Sequence, residues 1–376
     1  MRASHAPLNL VFSCSLIIGN ALIYADQSQE PSDSAAPPSS QTTAVLKEPT
    51  ELNPRDSWTF NLYFENDLFS ETDQNYTNGL RASWISPDLV DYIDDPSLPQ
   101  WLRSLNKRLT FFNSSSKGLQ RNLVFAFGQT IYTPEDVLAT NTVANDRPYA
   151  GWMFASVAFQ SKNQANLDTL QIDLGIVGPA ALGQEAQDLI HDIRGFDKFQ
   201  GWDNQLKNEL GLVLLYEHKQ KVFNEVPRDG ELGFDVITHA GIALGNVATY
   251  INAGGEVRIG WLIPNDFGTS AVRAGGDNSA PGVNWDPRFD YPDKWGFHFF
   301  ASFELRAVAQ DIFLDGNTFR DSHSVSRKVL VADAAVGVSS VIGRVKVSYA
   351  QVFKSKEFKS QNSGHSYGSL SLSYSF

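Results

Sequence analysis

Between Phe64 and Gly79 the chain reads FENDLFSETDQNYTNG, a polar turn set between two stretches of alternating apolar residues. Asn66, Asp67, Asp73, Asn75, Thr77 and Asn78 offer up to six side-chain oxygens there, whereas a hairpin tip needs only one or two turn formers. Calcium takes roughly six to eight oxygen ligands from carboxylates, amides and carbonyls. The segment therefore reads either as a hard-cation site or as a solvated loop. Further along, Leu182, Ala186, Leu189, Ile190 and Ile193 recur at helical spacing, and Gln184, Gln187, His191 and Arg194 form an adjoining polar stripe. A neutral histidine on such a helix can take a proton from water; it can equally be a histidine whose ring is satisfied by its surroundings. Arg147, within DRPY, can pair with Asp146 or grip an anionic head group through its planar fork. None of the 7 histidines is followed two residues later by serine, so the rival serine–histidine chemistry has no local pattern to support it.

The elements that must carry these groups alternate. Trp58, Phe60, Leu62 and Phe64 interleave with Thr59, Asn61, Tyr63 and Glu65, and Phe297, Phe299, Ala301, Phe303 and Leu305 with His298, Ser302, Glu304 and Arg306. Charges confined to one parity need water or partners on that side, which the lumen of a membrane barrel supplies. Strands are expected at 57–66, 76–86, 121–131, 149–161, 168–178, 209–221, 231–245, 249–262, 295–311, 327–339, 341–353 and 364–376. The fold class is all-β: an antiparallel transmembrane β-barrel of about twelve strands, an even number as bacterial barrels have, with a short helix in an extracellular loop. With the amino terminus in the periplasm, loops 67–75, 132–148, 179–208, 246–248, 312–326 and 354–363 face outside the cell. Residues 87–120 and 263–294 then fall on the periplasmic side and are too long for ordinary turns.

The ends of the chain agree with this compartment. Residues 1–25 have an early arginine, an apolar run from Leu8 to Tyr24 and Ala25 at the expected cut, the layout of a signal peptide. Residues 26–54, rich in Ser, Pro, Gln and Thr, are expected to form a disordered leader, and the barrel occupies 55–376. The closing YGSLSLSYSF alternates strictly and ends on Phe376, resembling the signal by which the barrel assembly machinery takes up outer-membrane proteins. The single cysteine, Cys14, lies in the signal, which excludes disulfides and thiolate chemistry from the mature chain. A net charge of −12 argues against a nucleic-acid partner.

The runs END at 65–67, DQNYTNG at 73–79, IYTPED, DRPYAGW, GPAALGQEAQDLIH at 178–191 and GWDNQLKNE at 201–209 together resemble the LpxR-type lipid A deacylases, in order over most of 57–376. The resemblance implies a twelve-stranded barrel in the bacterial outer membrane that removes the 3′-acyloxyacyl group of lipid A, with calcium as cofactor and lipopolysaccharide of the outer leaflet as partner. It implies His191 as general base, with Asn66 and Asp67 in the calcium and catalytic region, Thr77 beside them and Asp197 in support. Asp197 stands where some members carry Glu. Arg147 and Gln187 are the candidate substrate-binding residues. The alternatives are a non-enzymatic porin or structural barrel, and a phospholipase.

Overall fold

The computed structural model describes residues 53–67, 75–89, 91–92, 95–96, 98–107, 119–269, 275–282 and 285–376. The signal peptide and nearly all of the leader lie outside the described residues, as do Asp73 and the side chains of Asn75 and Thr77. Twelve antiparallel strands form a closed meander: β1 Thr59–Asn66, β2 Asn75–Ile85, β3 Gln120–Thr133, β4 Ala150–Lys162, β5 Asn166–Val177 and β6 Glu209–Glu225. They continue as β7 Leu232–Gly245, β8 Ala248–Trp261, β9 Trp295–Asp311, β10 Leu330–Ile342, β11 Val345–Lys354 and β12 His365–Ser375. Closure comes from β1 pairing with β12, Thr59 opposite Ser375 and Asn66 opposite Gly368. Because the ring has no edge, every ladder finds partners inside the membrane. Among the described residues no helix is long and apolar enough to cross a membrane.

The side-chain period of two decides which face is which. Leu62, Leu80, Trp84, Phe125, Phe127, Phe299 and Phe303 point outward and are exposed, while Asn61, Ser83, Arg81, Glu217 and Arg258 of the opposite parity are buried in the lumen. Trp58, Trp84, Trp261, Trp295 and Tyr374 stand near the rim where β1 begins, and Trp261 and Trp295 meet edge-on at 5.7 Å. Such an aromatic girdle belongs at a membrane interface. The β10–β11 turn falls at Gly343–Arg344, with Gly343 at φ 55°. That two-residue turn moves β10 to 330–342 from the expected 327–339, because a left-handed glycine suits a tight hairpin.

Of the first long periplasmic segment, the described residues between 86 and 98 lie against the outside of the wall: Leu89, Tyr92 and Leu98 pack on Leu123, Phe159 and Leu170, and the Tyr92 hydroxyl donates to the Asn122 carbonyl at 3.0 Å. They lead into α1, Gln100–Asn106. The described residues 263–269 and 275–282 instead lie in the lumen as a plug, within a segment that also carries the one-turn helix α3, Pro287–Asp290. Asp277 accepts from Arg81 at 2.5 Å and from Ser83 at 2.6 Å, Gly275 N–H donates to Gln171 at 3.0 Å, and Lys162 donates to the Ala280 and Pro281 carbonyls at 3.0 and 3.1 Å. Asp266 holds Arg258 at 2.6 Å and Lys346 at 2.5 Å. These partners sit on β2, β4, β5, β8 and β11, so the plug is tied around the ring. At the outer end the one-turn helix α4, Ile312–Asp315, fills the lumen with Ile312 and Phe313 against Trp152, Phe154 and Leu215, and Phe313 stacks on Tyr132 at 4.0 Å. Between the two stoppers lies a cavity of about 190 Å³. Among the described residues, side chains fill the lumen at these two levels.

Candidate active site

The third outer loop, 178–208, rests on the outward face of the wall. Its helix α2, Gly183–Arg194, packs on β3 and β4, and the contact is made by two glycines. A Cβ on Gly151 would lie 3.2 Å from the Gly183 Cα, and one on Gly183 would lie 3.1 Å from both the Gly151 Cα and the Trp202 ring. The glycines of DRPYAGW and of GPAALGQ are thus a single backbone contact. Gln129 of β3 fastens the entrance of the helix, its Nε2 donating to the Ala181 carbonyl at 2.6 Å and the Leu182 carbonyl at 3.1 Å. Between them the chain turns through Leu182 at φ 56°, a left-handed conformation that costs a residue with a side chain about 1–2 kcal/mol. Leu182 N–H donates to the Pro179 carbonyl, and these bonds hold the strained corner.

Helix α2 is amphipathic in the sense opposite to a soluble helix. Its buried residues are Gly183, Gln187 and His191, spaced four apart, while Leu182, Leu189 and Ile193 are 49%, 60% and 75% exposed. Gln187 and His191 of the polar stripe meet protein, and Leu189 and Ile193 stand exposed beside Glu185, Asp192 and Arg194, as on a helix lying at a membrane interface. Under it Ile131, Tyr149, Phe199 and Trp202 form a cluster, with Tyr149 and Trp202 rings 4.9 Å apart. Trp202 is therefore buried, and its Nε1 donates to Gln187 Oε1 at 3.1 Å. That bond gives Gln187 a packing role; whatever it offers a substrate comes from its amide nitrogen.

His191 lies in the last turn of α2, its ring edge-on to Phe199 at 5.0 Å. Gly195, at φ 71°, caps the helix and folds the chain back. The Asp197 carbonyl consequently comes within 2.7 Å of His191 Nδ1. A carbonyl only accepts, so Nδ1 carries a proton, and the tautomer this selects puts the basic nitrogen of the neutral imidazole at Nε2. The Asp197 side chain is exposed. The hydrogen bond to His191 thus comes from the Asp197 main chain, which Asp and Glu supply equally.

Asn66 and Asp67 end β1 and are buried. Asn66 follows Phe60, Leu62 and Phe64 on the outward parity, so an amide stands where the greasy stripe would place another apolar side chain. Register carries its level around the wall: Asn66 pairs with Asn78, Asn78 with Ile131, and Ile131 with Gly151, on which α2 sits. Asn66 and the seat of the His191 helix therefore share one rung of the outer face. At Thr77 the β2–β3 ladder shifts between Tyr76 and Asn78; such bulges re-aim side chains and recur beside active sites. Tyr76 turns inward, its hydroxyl donating to Glu65 at 2.8 Å. Asn66 and Asp67 present amide and carboxylate oxygens, a donor type that fits calcium.

Arg147 is not open to a head group. Its Nη2 meets Glu357 at 2.7 Å and its guanidinium lies over Tyr132 and Phe358 at 5.5 and 5.6 Å, so the ion pair it forms is with the β11–β12 loop rather than with Asp146. Lys354 holds the other Glu357 oxygen at 2.9 Å. Burial acts to raise the Glu357 carboxyl, but Lys354 and Arg147 outweigh it and hold it well below the usual carboxylate range. With the folded value depressed, this latch stabilises the fold above the unfolded value of about 4.3 and is lost as pH falls through the folded one. The thermal stability gap between wild type and Glu357→Gln, followed by heat-shifted gel migration, is expected to be full at pH 7 and to shrink steadily below about pH 4.3.

The family profile described as outer membrane protein LpxR matches residues 11–376. The chain belongs to the LpxR family. LpxR from Salmonella typhimurium has the same fold, with a TM-score of 0.64 at 18% identity, over 85% of this chain and 100% of that one. The β domain of the Bordetella autotransporter BrkA aligns at a TM-score of 0.40 and 8% identity, over 85% of this chain and 99% of its own. No curated protein sequence matches. Membership of the LpxR family and the closed barrel place the chain in the bacterial outer membrane. Among the described residues, the His and carboxylate groups gathered closely enough to hold a metal are Glu217, His239 and Glu304, which face the lumen and are separate from the outer-wall site.

Proposed function

We propose that this LpxR-family barrel is a lipid A deacylase: an ester hydrolase that removes the 3′-acyloxyacyl chain of lipid A with a histidine base and calcium. The observation that carries the reading is His191, fixed by the Asp197 carbonyl at 2.7 Å on a helix whose seat shares a rung with Asn66 on the outward wall. An ester of an outer-leaflet lipid reaches this face sideways without leaving the membrane. His191 Nε2 takes a proton from water as the oxygen attacks the acyl carbonyl, then returns it to the sugar oxygen as the tetrahedral intermediate collapses. The Asn66 amide contributes a donor toward the developing oxyanion. Calcium, held through oxygens of Asn66 and Asp67, would supply the positive charge that polarises an ester carbonyl. The exposed Leu182, Leu189 and Ile193 stripe dips α2 among the acyl chains and keeps bulk water from the ester.

The test is mass spectrometry of lipid A from cells expressing the chain. Loss of the mass of one acyloxyacyl unit is expected with calcium present, and its retention is expected in outer membranes treated with a calcium chelator. Intact lipid A under both conditions would overturn the reading. Fatty acid released from pure phospholipid micelles, with lipid A untouched, would reassign the substrate to phospholipid.

A further inference from the structure

Inside the barrel, Glu217 of β6, His239 of β7 and Glu304 of β9 each bring one ligand atom within 4.8 Å of the others. His239 Nε2 lies 3.1 Å from Glu304 Oε2. Asn252 of β8 reaches between the two carboxylates, its Nδ2 3.2 Å from Glu217 Oε2 and 3.3 Å from Glu304 Oε2. The other oxygens turn outward to cations: Glu217 Oε1 to Lys219 at 3.5 Å, Glu304 Oε1 to Arg306 at 3.4 Å. Each carboxylate is thus gripped on one oxygen and presents the second to a common centre.

The backbone is arranged to permit this. Register places Gly241 between Glu217 and Asn252, and Gly254 between His239 and Glu304. Neighbouring strands lie roughly 4.8 Å apart, so side chains two strands apart can meet only over a position with no side chain. A Cβ on Gly254 would stand 2.9 Å from His239 Nε2, and one on Gly241 would stand 2.7 Å from Asn252 Oδ1. The two glycines form a checkerboard that lets four strands converge on one point.

Asn252 adds an independent sign. It is 6% exposed, and its Oδ1 is buried with no hydrogen-bond partner. Turning the amide over would aim that oxygen at the centre and remove its N–H groups from both carboxylates, an exchange that gains only when a cation sits there. His239 and Glu304 also line the 190 Å³ cavity between the two stoppers, which gives an ion room.

We propose that Glu217, His239, Glu304 and Asn252 form a lumenal site for a divalent first-row transition-metal ion of the zinc type. One imidazole nitrogen with two carboxylates suits such an ion, whereas calcium asks for an all-oxygen shell of more ligands. The two carboxylates balance its charge, and Lys219 and Arg306 orient them from behind. Binding displaces the Nε2 proton of His239 and clamps β6 to β9 beside the plug, whose Gly275 lies against Glu217. The site is independent of the deacylase reading, and its readout is metal binding rather than hydrolysis.

The experiment titrates the metal-stripped full chain, folded in detergent, with Co²⁺ and then Zn²⁺. One equivalent of Co²⁺ with a visible absorption band is expected, displaced by Zn²⁺ and undisturbed by a large excess of Ca²⁺. His239→Ala and Glu304→Gln, checked for folding by heat-shifted migration, should each weaken binding at least about tenfold, the loss that even an outer partner can cause. Zinc-edge X-ray absorption of the wild type should show one imidazole nitrogen with oxygens at about 2.0–2.1 Å, and this decides the matter if the variants do not fold. No bound equivalent, undiminished binding in both variants, or a spectrum without imidazole would overturn the proposal.

Discussion

Replacing His191 by alanine is expected to lower lipid A deacylation by about 10²- to 10⁴-fold, the usual contribution of a positioned general base, while leaving the barrel assembled. The ring is held by the Asp197 carbonyl at 2.7 Å and borders Phe199. Its loss therefore removes the hydrogen bond to Asp197 and some loop packing, and none of the strand ladders. Heat-shifted migration should stay that of a folded barrel as the product peak vanishes from the mass spectrum. Asp197→Ala is the informative companion. It keeps the carbonyl that sets the tautomer and removes an exposed carboxylate, so activity is expected within about threefold of wild type, the range of ordinary surface changes. Full activity in the His191 variant, or an Asp197 loss as deep as that of His191, would contradict this assignment.

The second large effect is expected at Asp266. Its carboxylate lies between Arg258 at 2.6 Å and Lys346 at 2.5 Å, with Arg288 3.9 Å away, all of them buried. Burial works to raise its carboxyl, but Lys346, Arg258 and Arg288 prevail and lower it, so it stays charged across ordinary pH. Alanine at this position leaves Lys346 buried without its carboxylate, while Arg258 keeps Asp235 and Arg288 keeps Asp286. Removing one partner from a buried ion pair costs about 3–5 kcal/mol, and the plug is where that strain is released. A lower urea midpoint and a conductance in planar bilayers that wild type lacks are the expected results. A variant as stable and as closed as wild type would mean that the plug is held by Asp277 and its neighbours alone.

Much of the wall was legible in the sequence, because lipid demands one apolar face and the two-residue period writes that demand into every strand. The outer-wall site was legible in part. Helical spacing around His191 located α2, yet the buried face proved to be Gly183, Gln187 and His191, since the medium outside is lipid and the usual polarity is inverted. Asn66 carried a readable cue, being a polar residue at the next outward position after Phe64. The contribution of Asp197 was hidden, because a main-chain carbonyl leaves no trace in residue type. The plug was illegible for another reason: Asp277 finds Arg81 across 196 positions, and residues 263–294 have no period to announce a register. The lumenal cluster needed three hairpin registers at once before Gly241 and Gly254 could be seen as gaps.

The placement of α2 on the outward face gives this barrel an unusual relation to its surroundings. A centre that meets its substrate through the side of the wall samples a two-dimensional film, in which the governing quantity is molecules per unit area rather than per volume. Inert lipid or detergent spread among the substrate slows such a catalyst even when the bulk amount is unchanged. Crowding, acyl-chain order and the clustering of neighbours within one leaflet then act as its throttle, and the membrane itself becomes part of the rate law.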